Sequence, residues 1–262
     1  MDLFTLVWAF SALCIQTTPL AHGFSTQIST RASPPSSKHG RHASGGDDDD
    51  APSTTRKPWD VIRFVSQSSK FVGPPSLPLM RKSIKRKIGP GEVIWTPSSP
   101  RNFFRFSPLD DVVMGGASSS TVDNDTGTWT GTVTDANNGG FVGIRSTPFQ
   151  NGLSLDMSGC QGVELRLRKG DGQRFKFIVR DSTDFNGVCW TTEFDARGTI
   201  IRIPFSNQIP TIFASTVSGK SFDDENVVGF QITYSKFEYN GKLNQNFRLG
   251  KFVLQLLELK SY

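Results

Sequence analysis

From Trp95 to the carboxy terminus, apolar side chains recur at every second position, a period that restricts the chain to strands with one buried face. Val163, Leu165 and Leu167 alternate with Glu164, Arg166 and Arg168, and Phe175, Phe177 and Val179 alternate with Lys176, Ile178 and Arg180. Trp190, Thr192 and Phe194 oppose Thr191, Glu193 and Asp195, while Phe230, Ile232 and Tyr234 oppose Gln231, Thr233 and Ser235. Trp129 with Val133, Ile201 with Ile203 and Phe205, and Phe252 with Leu254 and Leu256 form further inward sets. Turn-forming runs separate them: Asp123 to Gly127, Asn137 to Gly140, Lys169 to Gly172, and Asn240-Gly241. Roughly eight to ten strands with no long helical period predict an all-β sandwich or jelly roll. Sixteen of the 21 phenylalanines follow Trp95, which assigns most of them to the core of that sandwich. Each ring fully buried there contributes on the order of 1.5–3 kcal/mol.

The same region is poor in reactive groups. His22, His39 and His42 all precede Asp47, so the part that folds has no imidazole for a Ser-His-Asp triad, a Cys-His pair or a histidine-bound zinc. Three cysteines exclude a dense disulfide framework, and Cys160 and Cys189 fit either buried thiols or one inter-sheet bridge. Asp110-Asp111 followed by Met114-Gly115-Gly116 is the most unusual string, since two acids can ligand a cation and two glycines permit close backbone approach or positive φ. Turn geometry accounts for the same residues with fewer parts. No phosphate-loop lysine and no G-x-G-x-x-G accompany it, which argues against nucleotide binding. Asp123 with Asp125, and Asp223 with Asp224 and Glu225, lack the spacing of a calcium loop and read as turn acids. No catalytic residue, metal or cofactor is expected.

The amino-terminal third reads as address and linker. Leu3 to Ile15 has the length of a signal-peptide apolar segment, followed by the small-x-small site Ala21-His22-Gly23. Phe24 to Gly46 is rich in Ser, Thr and Pro, carries Arg31, Lys38 and Arg41, and has no acid, the composition of a transit peptide. Signal and transit peptides in series resemble the bipartite presequence of algae with secondary plastids, so a plastid is the expected location and a mitochondrion the alternative. A secreted protein with a disordered arm is the competing reading. Asp47 to Asp50 and the polar residues after it form a solvated acidic linker. The expected divisions are 1–23 signal peptide, 24–57 transit peptide and linker, 58–94 arm, and 95–262 jelly roll.

In the arm, apolar residues at Trp59, Ile62, Phe64, Val65, Phe71 and Val72 outline a short helix ended by Gly73-Pro74-Pro75. Most of the formal charge of +5 lies just beyond, in Arg81, Lys82, Lys85, Arg86 and Lys87, because the acids and bases from Trp95 onward balance. That cluster is a candidate contact for RNA or an anionic membrane surface, with a solvated linker as the alternative.

Taken in order, Phe106-Ser107-Pro108-Leu109-Asp110-Asp111-Val112-Val113-Met114-Gly115-Gly116-Ala117-Ser118, then Gly139-Gly140-Phe141-Val142, then Gly162 to Leu167 with Gly170-Asp171-Gly172, the strings resemble the complex I intermediate-associated protein family. Its signature is an aspartate shortly before V-M-G-G-x-S, a later G-G-F, and a strand leading into G-D-G. Phe194, Ile203-Pro204-Phe205, Gly229-Phe230 and the closing Phe247 to Leu257 fall where that family has its F, I-P-F, I-G-F and terminal strand. Trp59 to Phe71 resembles the helix that often precedes the domain. The resemblance implies a galactose-binding-like jelly roll and a non-catalytic assembly factor or chaperone for an organellar membrane complex, either NADH dehydrogenase or its photosynthetic counterpart. Expected partners are partly assembled subunits, with an RNA- or carbohydrate-binding module in the plastid as the alternative. The residues expected to shape the surface are Asp111, Met114, Gly115, Gly116, Ser118, Gly139, Gly140, Phe141, Gly170 and Asp171.

Overall fold

A computed structural model describes residues 60–71, 84–168 and 170–262. The expected signal peptide, transit peptide and acidic linker, together with Arg81 and Lys82, lie outside the described residues.

The period of two produces two packed antiparallel sheets. In chain order the strands are β1 (Ile84–Lys87), β2 (Val93–Trp95), β3 (Phe106–Pro108), β4 (Ser119–Asp123), β5 (Thr128–Val133), β6 (Phe141–Ser146), β7 (Leu153–Asp156) and β8 (Gly162–Leu167). They continue with β9 (Arg174–Arg180), β10 (Cys189–Asp195), β11 (Ile200–Pro204), β12 (Ile209–Ile212), β13 (Ser215–Thr216), β14 (Gly229–Ser235) and β15 (Gly250–Ser261). One sheet has the order β13-β12-β10-β9-β14-β6-β3; the other runs β11-β8-β15-β5-β4, with β2 added beside β15; β1 and β7 pair in parallel as a separate two-stranded sheet. Consecutive strands repeatedly change sheet, as in a jelly roll, and the long β15 pairs with β5, β8 and β2, with a bulge between Leu256 and Glu258 on its β8 side.

Fifteen strands among the described residues exceed the eight to ten expected. The surplus is short: β2, β3 and β13 have two or three residues each, too few to show an alternation. Residues 84–94, read from sequence as arm, contribute β1, β2 and the core side chains of Ile88 and Ile94.

Between the sheets lies an aromatic core. Trp129 meets Phe252 edge to face at 4.8 Å, Phe175 lies 5.1 Å from Tyr234, and Phe104 stacks on Phe149 at 5.1 Å. The Tyr234 hydroxyl in this layer is satisfied, accepting from the Arg248 amide at 2.7 Å and donating to its carbonyl at 3.2 Å, whereas the buried Trp129 Nε1 has no hydrogen-bond partner among the described residues.

The expected helix exists as α1 (Val61–Ser69), but of its apolar residues only Phe64 is buried. Ile62 is 85 % exposed, and Val61 and Val65 also face solvent, while Phe64, Gln67 and Ser68 are buried. Its start is capped by Asp60, whose carboxylate accepts from the Arg63 amide at 2.9 Å. Polar contacts, described next, hold it to the sandwich.

Candidate functional site

Asp110 and Asp111 sit where β3 leaves the seven-stranded sheet, the second of them opening a single 3-10 turn, Asp111–Met114. Both carboxylates are buried, so each needs donors. Asp111 finds them in two separate loops. Its Oδ1 accepts from the Ser118 amide at 2.9 Å, and its Oδ2 accepts from the Ser118 hydroxyl at 2.6 Å and from the Gly140 amide at 2.8 Å. The Phe141 amide approaches the same oxygen at 3.4 Å. One carboxylate thus ties the M-G-G-x-S loop to the G-G-F loop.

The glycines of both strings follow from this node. Gly115 ends the 3-10 turn with φ +86°, where a side chain is strained. A Cβ on Gly116 would collide with the Asp111 carboxyl carbon, and one on Gly139 would collide with Asp111 Oδ2. Asn137 Nδ2 donates to the Gly115 carbonyl at 3.0 Å, and Lys236 donates its amide to the Gly140 carbonyl at 2.7 Å, carrying the contact on to the hairpin Phe237–Leu243. Met114, 42 % exposed, projects from this connected set, and Phe237 and Leu243 are exposed on the hairpin.

Asp110 turns the other way, onto α1. Its Oδ2 accepts from Arg63 Nη2 at 2.6 Å, Gln67 Nε2 at 3.0 Å and the Ser120 amide at 2.9 Å, and its Oδ1 accepts from the Ser120 hydroxyl at 2.5 Å. Its own amide donates to Gln67 Oε1 at 2.9 Å. Burial pushes the Asp110 carboxyl above its ordinary value, opposed by the hydrogen bonds from Ser120 and Gln67 and by the charge of Arg63. The acid pair is therefore a pair of structural hubs with their oxygens committed to N–H and O–H donors. Arg63, Gln67 and Ser120, absent from the residues expected from sequence, complete it.

Gly170 and Asp171 lie elsewhere, in the turn from β8 to β9. A Cβ on Gly170 would strike the Ala196 carbonyl, so the G-D-G string serves close packing against the β10–β11 turn. Asp123 accepts from the Asp125 amide and the Thr126 hydroxyl, both at 2.8 Å, as a turn acid does, and these bonds hold its carboxyl below the usual range. Cys160 and Cys189 are free thiols, which removes the bridged reading.

The described part of the basic cluster is exposed but matched by acids. Lys85 Nζ lies 3.2 Å from Glu225 Oε2, Arg86 pairs with Glu92 and lies over the Phe103 ring, and Lys87 acts on Asp156, its register partner on β7. These residues form a parallel edge strand whose charges are answered locally.

Comparison with known proteins places these features. The family model for complex I intermediate-associated protein 30 (CIA30) matches residues 95–256. No curated protein matches the chain significantly. Among solved structures, the family 11 carbohydrate-binding module from Clostridium thermocellum in complex with a β-1,3-1,4-mixed-linked tetrasaccharide is similar at 17 % identity and a TM-score of 0.40, over 64 % of this chain and 94 % of that one. The family 11 module of the cellulosomal cellulase Lic26A-Cel5E of Clostridium thermocellum is similar at 17 % identity and 0.42, over 66 % and 96 %. Because the family match takes in more than half of the sequence and encloses the whole Asp111 node, this chain belongs to the complex I intermediate-associated protein 30 family.

Proposed function

We propose that the protein is a non-catalytic assembly factor for an organellar membrane complex, of the complex I type or its photosynthetic counterpart, and that it holds partly assembled subunits. The family match over residues 95–256 carries this reading, since the family is one of complex I assembly and not an enzyme family. The site chemistry supports it. The signature residues spend their polar atoms on one another, and what they offer outward is shape and apolar surface at Met114, Phe237 and Leu243. A rigid set of loops with exposed apolar side chains suits binding a client and releasing it unchanged. The series of presequence features before Asp47 supports a plastid as the place of action, with the mitochondrion as alternative.

Affinity purification of the tagged full chain from isolated organelles tests the reading. Subunits of a respiratory or photosynthetic membrane complex are expected in the eluate, and M114D is expected to reduce them without loss of folded protein. Recovery of soluble metabolic enzymes alone would overturn it. Fluorescence microscopy of a fusion carrying the whole presequence decides the compartment.

A further inference from the structure

Among the described residues, no carboxylate pairs with two arginines that are buried on the outer face of the seven-stranded sheet. Alternation sends Arg145 of β6 and Arg180 of β9 to this face, since their neighbours Ile144 and Val179 point into the core. Yet Arg145 is 8 % exposed and Arg180 only 3 %. The cover comes from outside the sheet. The Arg145 guanidinium carbon lies 5.4 Å from the ring centroid of Phe71, just past α1, and 5.1 Å from that of Phe185, in the β9–β10 connection. An aromatic face attracts a cation but accepts none of its in-plane hydrogen bonds.

Among the described residues the Arg145 side chain makes no hydrogen bond and no ion pair; what covers its guanidinium is the two rings. Arg180 gives Nη1 to Cys189 Sγ at 2.6 Å and Nη2 to the Asp184 and Phe185 carbonyls, which leaves Nε buried without an acceptor. On β14, the strand separating β9 from β6, Gly229 opposite Arg180 adds no side chain, while Gln231 opposite Arg145 gives its Nε2 to the Thr233 hydroxyl. The two guanidinium groups sense one another: burial first, and then the Arg180 charge, lower Arg145 to about 9. That value still leaves it protonated at neutral pH. Cys189 opposes that lowering of Arg145, but burial pushes the thiol's own value up, so it stands there protonated at neutral pH.

Two buried guanidinium groups with no carboxylate bonded to them among the described residues create a positive potential that favours an anion. Guanidinium edges present parallel N–H donors that match the oxygens of a carboxylate or a phosphate. We propose that Arg145 and Arg180 form an oxyanion site roofed by Phe71 and Phe185, which takes a carboxylate or phosphate group from solution. The site is separate from the Asp111 node and stands whether or not the assembly reading does.

Equilibrium dialysis of the full chain against inorganic phosphate, and separately against acetate, with chloride holding ionic strength constant, tests it. One saturable site is expected for at least one of the two ions, and which ion binds decides the ligand class. Bound anion is also expected to slow alkylation of Cys189 by iodoacetamide, read by peptide mass spectrometry. R145Q and R180Q should each weaken binding by at least about tenfold, as loss of a charge-assisted hydrogen bond requires. If R145Q does not fold, R145K keeps the charge and loses the planar fork: weaker binding supports the site, and unchanged binding overturns it. Absence of saturable binding by either ion up to tens of millimolar overturns it as well.

Discussion

Arg63 donates to Asp110 Oδ2 at 2.6 Å across 47 positions of sequence, and this contact fixes α1 to the loop that carries the family signature. Removing the two partners should have unequal effects. In D110A the buried Gln67 and the Ser120 donors lose their acceptor, and the cost should be about 3–5 kcal/mol, as for breaking a buried pair. In R63A the carboxylate keeps Ser120 and Gln67, and water can reach the partly exposed place the arginine leaves, so the loss should be about 1–2 kcal/mol. Urea unfolding of both variants and of the double variant measures the coupling. Equal losses for the two single variants would show that the arginine, and not the hydroxyl and amide donors, dominates the clamp.

The Asp111 node predicts a steep penalty for very small changes. G116A adds one carbon against the Asp111 carboxylate and should destabilise by about 1–3 kcal/mol through overpacking. D111N keeps the shape but replaces one acceptor oxygen with a donor, which faces either Ser118 or the Gly140 amide, and should lose about 1–3 kcal/mol. Thermal unfolding followed by tryptophan fluorescence reads both. A neutral G116A would mean that the signature glycine is kept for a surface and not for the node.

Because Lys85, Arg86 and Lys87 each face an acid, the edge strand should add little to nucleic-acid affinity. A triple glutamine variant at these positions should bind a single-stranded RNA oligonucleotide as the unaltered protein does, with the same dependence on salt. A fall in the slope of log affinity against log salt of about one per residue would instead identify them as phosphate contacts.

How much of this was legible in the sequence follows from what each residue answers to. Phe175, Phe177, Phe230 and Ile232 answer to a single buried face, and their alternation disclosed both the strands and the core. The D, M-G-G-x-S and G-G-F strings stood out as residues, but their common cause is one carboxylate, which no spacing reveals. Lys176, Ile178 and Arg180 read as a solvent face because alternation assumes that the second side of a sheet is wet. Here Phe185 and Phe71 reach the arginine lane and Tyr239 the lysine, so that face is dry. The helix was legible only in part: Phe64 of its apolar pattern is buried, but Ile62 and Val65 face solvent, and the hydrogen bonds that attach it come from a polar pair, Arg63 and Gln67.

Stability should fall on the acid side through a small set of paired carboxylates. Hydrogen bonds from Arg202 and then Lys260 hold Glu164 below its ordinary value of 4.5, and Lys242 and Arg174 do the same for Glu238. Such groups contribute fully above the ordinary value and lose their contribution as pH falls through the depressed one. Asp110, raised by burial, acts in the opposite sense: its native form favours the proton, so its contribution declines as pH rises from the ordinary 3.8 through the raised value. E164Q should therefore flatten the acid limb of the melting-temperature profile, and D110N should steepen it. An unchanged limb in E164Q would show that the pair with Arg202 and Lys260 is not formed.

Lys176 gives the alkaline counterpart. Its Nζ donates to the carbonyls of Phe237 at 2.7 Å and Glu238 at 2.5 Å and lies 5.1 Å from the centre of the Tyr239 ring, under cover of the hairpin that follows β14. Burial lowers it from 10.5 to about 8, against the opposing charges of Glu193 and Glu238. Between those two values the unfolded chain binds the proton that the native chain has released, so stability attributable to this group rises with pH over that window. The full span is on the order of 3 kcal/mol, at about 1.4 kcal/mol per pH unit. K176M has no proton to release and should lack the rise, while keeping the apolar stem that packs beneath Tyr239. Urea unfolding of the two proteins at pH 8, 9 and 10 measures the difference. Parallel curves would mean that Lys176 stays charged in the fold, held by the two carbonyls and by Glu193 more strongly than burial opposes it.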